Sequence, residues 1–240
     1  MQSQLYVSIS AQLALQRRLE TIANNIANVS TTGFRADEIA FEQLLSKAGA
    51  APTSFVSRGD SVLSVKSGEF AKTGNPLDIA VRGSAWLAIQ TGDAVTYSRD
   101  GRMKLSQSGI LTTMQGDSVL DASGSPIQLD VNGGTPQIGT NGVITQGARR
   151  VGAIGIFSMV PGTQLLRAEG ASVLPDTAPV PELDFNTNGI VQGYLEKSNV
   201  NPVQELSRLI AVQRAFEAVS TTIAESETAM QDVARALAGT

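Results

Sequence analysis

No histidine and no cysteine occur among the 240 residues of this chain, and their absence removes most of the common chemistry of catalytic sites. Without histidine there is no imidazole general base, no ready neutral-pH switch and no usual metal ligand. A serine hydrolase that relies on histidine is excluded. Without cysteine there is no disulfide, no thiolate nucleophile and no zinc–thiolate site. Charge is sparse as well: 17% of residues are charged and the net charge is −4, which argues against an electrostatic surface for nucleic acid. Aromatic residues make up only 5% of the chain against 23 glycines, a balance that predicts many turns and a lightly packed interior. The most apolar run, Val151 to Val160, is broken by Gly152, Gly155 and Ser158 and is too short to cross a bilayer. The first thirty residues carry Gln, Ser, Arg and Asn throughout, unlike the apolar stretch of a cleaved secretory signal.

What the chain does have is a helical apolar ladder at each end. Toward the C-terminus Leu209, Val212, Phe216, Val219, Ile223, Met230, Val233 and Leu237 alternate in steps of three and four, with Ser226 the one polar rung. Toward the N-terminus Leu15, Leu19, Ile22, Ile26 and Val29 do the same. Such steps place side chains on one seam of a supercoiling helix. Two ladders at the extremities, with β structure between, point to ends that pair with each other or with neighbouring subunits.

The N-terminal helix is expected from about Gln4 to Val29, stopped at Ser30-Thr31-Thr32-Gly33, where glycine accepts the left-handed conformation. Asn24, Asn25 and Asn28 crowd its last turns although asparagine is a poor helix former. They either fray a helix end or bond across a packed seam. Beyond Phe34 the pattern weakens. Phe41, Leu44 and Leu45 are compatible with a short helix, 49–54 reads as a loop, and Phe55-Val56 and Val62 to Val65 read as short strands. Between those strands Arg58-Gly59-Asp60 matches an adhesion tripeptide, but such matches are common by chance and a hairpin turn explains it completely.

From Gly74 onward strands and turns alternate. Leu77, Ile79 and Val81 interleave with Asp78, Ala80 and Arg82, and pairs such as Asp100-Gly101, Asn141-Gly142 and Asn188-Gly189 suit tight hairpins. A local echo sets an apolar pair after a turn glycine and a glutamine before the next, at 109–116, 142–147 and 189–193. Pro175, Pro179 and Pro181 mark a loop. The last helix has a well-marked start, with Asn201 as N-cap, Pro202 at the first helical position and Gln204 completing a capping-box pattern. Its roughly thirty-five residues span about 50 Å, too long to bury a stripe on one domain alone.

Candidate chemistry is thin. Asp78, Asp93, Asp100, Asp117, Asp121 and Asp130 are scattered singly beside turns, where carboxylates bond local backbone. Two of them meeting in space would leave glycoside hydrolysis open. No phosphate loop, dinucleotide fingerprint or nucleophile elbow is present. Trp86, the single tryptophan, suits a core anchor better than a stacking platform. No catalytic, cofactor-binding or metal-binding residue is assigned.

Several motifs carry a resemblance. Ala23-Asn-Asn-Ile-Ala-Asn28 followed by Thr31-Thr-Gly-Phe-Arg35 resembles the N-terminal signature of bacterial flagellar rod and hook proteins. Ser67-Gly-Glu-Phe70, the run from Thr73 to Gly83 and Tyr97-Ser-Arg-Asp-Gly101 resemble the core of that family. Gly193-Tyr-Leu-Glu-Lys-Ser-Asn-Val-Asn201 and Arg214-Ala-Phe-Glu217 resemble its C-terminal signature. The match covers nearly the whole chain in order. It departs at Ser84 to Leu87, where the family has a Gly-Phe-Phe-like run, and at Ser98, where threonine is usual. Length and the Asn-Pro-Val-Gln-Glu opening of the last helix are most similar to proximal-rod members, with distal-rod members as the sibling group.

The resemblance implies an α+β fold in which N- and C-terminal helices (1–32 and 196–240) form an inner coiled-coil layer. An extended linker or hairpin region, 33–72, would join them to a mostly antiparallel outer β domain, 73–195. It implies a non-enzymatic structural subunit of the periplasm-spanning rod, exported by the flagellar type III apparatus without a cleaved signal. Its partners would be other rod proteins and copies of itself, with no cofactor, small-molecule substrate, nucleic acid or membrane insertion. The interface residues would be Leu15, Leu19, Ile22, Asn24, Asn25, Ile26, Asn28 and Val29 with the eight C-terminal rungs from Leu209 to Leu237. A monomer with a folded β centre and labile ends follows, since lone apolar stripes lack partners.

Overall fold

The computed structural model of the chain describes residues 2–40, 43–46, 53–56 and 60–238. These form two compact units. The first comprises 1–27, 37–62 and 201–240, and the second 28–36 and 63–200.

The first unit is built on two helices, α1 (Gln2–Ala27) and α2 (Pro202–Ala238), which pack against each other. The start of α2 is fixed by its cap: Asn201 Oδ1 accepts the Val203 and Gln204 amides at 3.1 and 3.2 Å, and Glu205 N donates to Asn201 O. Glu205, in the first turn, places a buried carboxylate at the positive end of the helix dipole and receives Arg208. The segments that leave α1 and enter α2 are bonded to each other, Asn199 N donating to Phe34 O, so the helices share this end and run antiparallel.

Four short strands complete the unit. Asp37–Ala40 pairs with Asp60–Leu63, and Gln43–Ser46 pairs antiparallel with Thr53–Val56 in the register Gln43 to Val56. The short helix expected around Leu44 and Leu45 is therefore a strand. Two adjacent leucines fix no period, and the pairing with Thr53–Val56 decides the conformation. Phe41, Arg58 and Gly59 lie outside the described residues.

The second unit is β throughout, and every strand pair whose register is described in it is antiparallel. Its largest sheet has nine strands. At its centre Trp86–Thr91 pairs with Ala94–Ser98 through a hairpin at Gly92 and is flanked on the other side by Ser118–Val119 and Ile156–Ser158. Smaller ladders join Ile79–Arg82 to Gly189–Gln192 and Phe70–Lys72 to Tyr194–Glu196.

The main core is aliphatic and rich in isoleucine: Ile79, Val81, Leu87, Leu111, Ile144, Ile156 and Ile190 meet there with several others. β-branched side chains fill it because they suit a pleated surface. The central strand is buried on both faces. Leu87 enters the main core, whereas Trp86 packs with Leu63 and Val173, and Ala88 packs with Leu120 and Phe157. Trp86 is thus a core anchor, in a satellite cluster rather than the main one.

Candidate assembly site

Within the first unit the predicted ladders are partly spent on the chain itself. Ile22 and Val212 are buried, while Leu15, Leu19, Ile26, Leu209, Phe216, Val219 and Ile223 are half-buried. The side chains of Met230, Val233 and Leu237 lie outside the described ones. The two helices pack on each other, and the half-buried rungs keep part of their apolar surface exposed.

The asparagines also have work inside the chain. Asn25 is buried and forms a two-point clamp on the strand Asp37–Ala40: its Nδ2 donates to Asp37 O and its Oδ1 accepts Asp37 N, both at 2.9 Å. This amide pairs with a peptide group as another strand would, which explains a poor helix former at that position. Asn24 Nδ2 reaches Asp37 Oδ2 at 3.0 Å. In the second unit, Asn28 Oδ1 accepts the Thr31 hydroxyl at 3.1 Å and Asn28 O accepts Thr31 N, closing the turn after α1. Val29 packs at the edge of the cluster formed by Phe34, Ala171 and Val200.

Within the second unit four motif segments converge on one buried carboxylate. Glu196 Oε1 accepts Arg35 at 2.8 Å and Gly68 N at 2.9 Å; Oε2 accepts Arg99 Nε at 2.8 Å and Arg99 Nη2 at 2.7 Å. Arg99 spends its other donors on the Val81, Gly83 and Ala85 carbonyls. Arg35 donates to the Val65 and Lys66 carbonyls and to Ser67 Oγ. Arg35, Arg99 and Glu196 are all almost fully buried. Two cations face one anion, so burial, reinforced by the charge of Arg99 and opposed by Glu196, pushes the Arg35 guanidinium down to about 10. Burial likewise lowers Arg99, against the attraction of Glu196.

Backbone geometry closes the same junction. Gly33 N donates to Glu196 O at 2.7 Å, Ala36 N donates to Asn199 Oδ1 at 2.7 Å, and Ser64 N donates to Ala36 O at 2.8 Å. Gly33 sits at φ +70°, and a Cβ there would lie 2.3 Å from Asp100 N. A Cβ on Gly68 would lie 1.9 Å from Lys197 O. Both positions require glycine because another backbone occupies the space of a side chain. Arg167 stacks over Phe34, its guanidinium carbon 4.3 Å from the ring centre.

The turn aspartates are local. Asp121 accepts the Ser123 and Ser125 amides, Asp130 accepts Asn132 N, and Asp100 holds Arg102 through both oxygens. Asp100 and Asp117 do share a cleft of about 260 Å³ with Glu169, floored by Thr91, Thr96, Ser98 and Thr113. Two of the echoed glutamines are structural. Gln146 binds Asp130 N, Asp130 O and Gly134 O, while Gln192 binds Ile138 N, Pro76 O and Pro136 O. Among the described residues no helix is long and apolar enough to cross a membrane.

Comparison with known proteins agrees along the whole chain. Family models described as "Flagella basal body rod protein", "Flagellar hook protein FlgE/F/G D1 domain" and "Flagellar basal body rod FlgEFG protein C-terminal" match residues 5–35, 80–146 and 191–236. "Flagellar basal-body rod protein FlgF" of Mesorhizobium japonicum is 43% identical over 99% of this chain and 98% of its own length. The Rhizobium meliloti protein of that name is 41% identical over 100% of the chain and 99% of its own length. "Flagellar basal-body rod protein FlgG" of Bacillus subtilis is 29% identical over 95% of the chain and 97% of its own length. With relatives 43% and 41% identical along essentially their whole length and three family models matching in order, the chain belongs to the flagellar basal-body rod protein family.

Proposed function

We propose that this chain is a structural subunit of the proximal flagellar rod, which polymerises helically with other rod proteins and with copies of itself into a hollow, torque-transmitting shaft. The observation that carries this reading is the end-to-end similarity to rod proteins at 43% and 41% identity. Its task is mechanical rather than catalytic. On this reading α1 and α2, within 1–32 and 196–240, form the inner coiled-coil layer, and 73–195 forms the outer β layer joined through 33–72. The half-buried rungs Leu15, Leu19, Ile26, Leu209, Phe216, Val219 and Ile223 support it, since they leave apolar surface for neighbouring helices. Each subunit is delivered by the flagellar type III apparatus and works in the periplasm-spanning rod. Stiffness comes from repeating many modest seams, so no single contact need be strong.

Deleting the chain from its host and restoring it in trans tests this directly, with motility and a cryo-electron map of purified basal bodies as readouts. The expected result is loss and recovery of swimming, with density for the chain in the proximal rod. Complete rods and normal swimming in the deletion strain would overturn the reading.

A further inference from the structure

The cleft shared by Asp100, Asp117 and Glu169 belongs wholly to the second unit, and strand register gives it a definite floor. Ile89 stands opposite Thr96, and Ser98 stands opposite Ser172, so these four side chains share one face of three neighbouring strands. Gln115 and Asp117, from the hairpin that joins the sheet at Ser118, border the cleft on one side, and the turn 168–171 borders it on the other. Its volume of about 260 Å³ lies just below the roughly 300 Å³ at which pockets for drug-sized ligands begin, so it admits a single ring-sized unit.

Three observations define what fits. First, buried hydroxyls face the cavity with protons unspent. Ser98 and Thr113 are 2% and 7% exposed; their oxygens accept the Asp100 and Asp117 amides, and among the described residues neither hydroxyl donates to an acceptor. Thr91 and Thr96 share one hydrogen bond at 3.1 Å, which uses only one of their two protons. A buried hydroxyl with no acceptor in the protein takes one from a ligand or from water.

Second, acceptors stand at the rim. The Asp117 and Glu169 side chains hold no hydrogen bond or ion pair among the described residues, whereas both oxygens of Asp100 are taken by Arg102. No lysine or arginine lines the cleft, which disfavours a phosphate or carboxylate ligand. Among the described residues no three acidic side chains converge enough to hold a metal ion. Donors at the floor and spread acceptors at the rim match a ligand whose hydroxyls both accept and donate, which is a neutral sugar ring.

Third, an apolar pair adjoins the polar floor. Leu174 lies two residues beyond Ser172 on the same face, about 7 Å away, and Leu166 stands opposite Leu174. The two leucines are 59% and 43% exposed at Leu166 and Leu174, while Val173 points the other way into the Trp86 cluster. A ring seated over Ser172 therefore has an apolar surface within reach of an N-acetyl substituent.

We propose that this cleft binds one N-acetylated sugar unit of a glycan. The ring hydroxyls meet Ser98, Thr113, Asp117 and Glu169, and the acetyl methyl rests against Leu166 and Leu174. Binding is non-covalent, and no bond in the sugar is broken. With no aromatic ring in the lining to stack on the sugar, the affinity is weak, on the order of 1 mM. The site is a property of the second unit and does not depend on the rod reading.

Saturation-transfer NMR and calorimetric titration of the full chain with N-acetylglucosamine, glucose, spermidine and calcium test this. The expected result is transfer to the acetyl methyl and ring protons of N-acetylglucosamine, with glucose bound about fourfold more weakly for want of the methyl contact. Asp117→Asn combined with Glu169→Gln is expected to weaken both sugars by about tenfold or more, since each loses a charged acceptor. Leu166→Ser combined with Leu174→Ser is expected to bring N-acetylglucosamine down to the level of glucose and to leave glucose unchanged. Urea midpoints read from Trp86 fluorescence separate a lost site from a lost fold, and Glu169→Gln alone, at an exposed position, carries the carboxylate test if the double variant unfolds. No transfer to either sugar overturns the proposal, as do equal affinities for the two sugars or an affinity unaltered by the carboxylate variants. Spermidine or calcium bound more tightly than N-acetylglucosamine makes the cleft a cation site and overturns it as well.

Discussion

Replacing Glu196 by Gln tests the buried junction most sharply. The carboxylate takes four donors from Arg35, Gly68 and Arg99 in a site closed to water. Glutamine preserves the shape but leaves two buried guanidinium ions without a counter-charge. Removing one partner of a buried pair costs about 3–5 kcal/mol, because the remaining ion is neither solvated nor neutralised. Arg35→Met is a contrasting perturbation. It leaves Arg99 and Glu196 as a neutral pair and forfeits the bonds to the Val65 and Lys66 carbonyls and Ser67, for about 1–3 kcal/mol. Arg99→Met falls with Glu196→Gln, since the Val81, Gly83 and Ala85 carbonyls lose their donor.

Urea unfolding of the full chain measures all three, and Trp86 is a built-in fluorescent reporter, being the single tryptophan and packed in the same unit. With an m-value of about 2 kcal/mol/M, a loss of about 4 kcal/mol lowers the midpoint by roughly 2 M. A Glu196→Gln midpoint close to that of the parent would refute the reasoning. So would an Arg35→Met variant as unstable as Glu196→Gln, because the cost would then not arise from uncompensated charge.

Gly33→Ala forces a Cβ at φ +70° to within 2.3 Å of Asp100 N, and a loss of more than about 2 kcal/mol is expected by the same urea titration. Asn25→Ala removes both bonds to the Asp37 peptide group, about 1–3 kcal/mol; hydrogen exchange at the Asp37 amide, accelerated at least tenfold, is the readout. Glu182 is held below its ordinary value of 4.5 chiefly by the Ser158 hydroxyl, with Asn188 assisting. Its folded value is depressed, so its contribution is present above about pH 4.5 and is lost as pH falls through the lower folded value. Thermal melts of Glu182→Gln and the parent are therefore expected to converge toward acid, and a constant gap from pH 7 to pH 3 would contradict this.

Features set by local chemistry were legible in the chain. The Asn201–Pro202 start of α2, the stop at Gly33 and the strand through Ile79 and Val81 each depend on residues a few positions apart. What depends on distant partners was not. Leu44 and Leu45 carry no period, and only the strand Thr53–Val56 makes them β. Asn25 reads as a candidate contact with another chain because its partner, Asp37, arrives after an intervening turn. Arg35, Arg99 and Glu196 look in sequence like ordinary solvated charges. Their burial follows from strands that bring together residues 97 positions apart for Arg99 and Glu196. The motif resemblance marks these letters without saying what they do.

The junction also sets an order of events. Its three charged side chains are delivered by the early, middle and late parts of the chain, and the strand Gly189–Gln192 pairs back onto Ile79–Arg82. A chain released N-terminus first from a ribosome cannot complete this unit until the segment ending at Val200 has emerged. Until then Arg35 and Arg99 have no counter-ion, and Ile79 and Val81 lie on an unfinished sheet edge. The fold of this unit is thus finished from its tail.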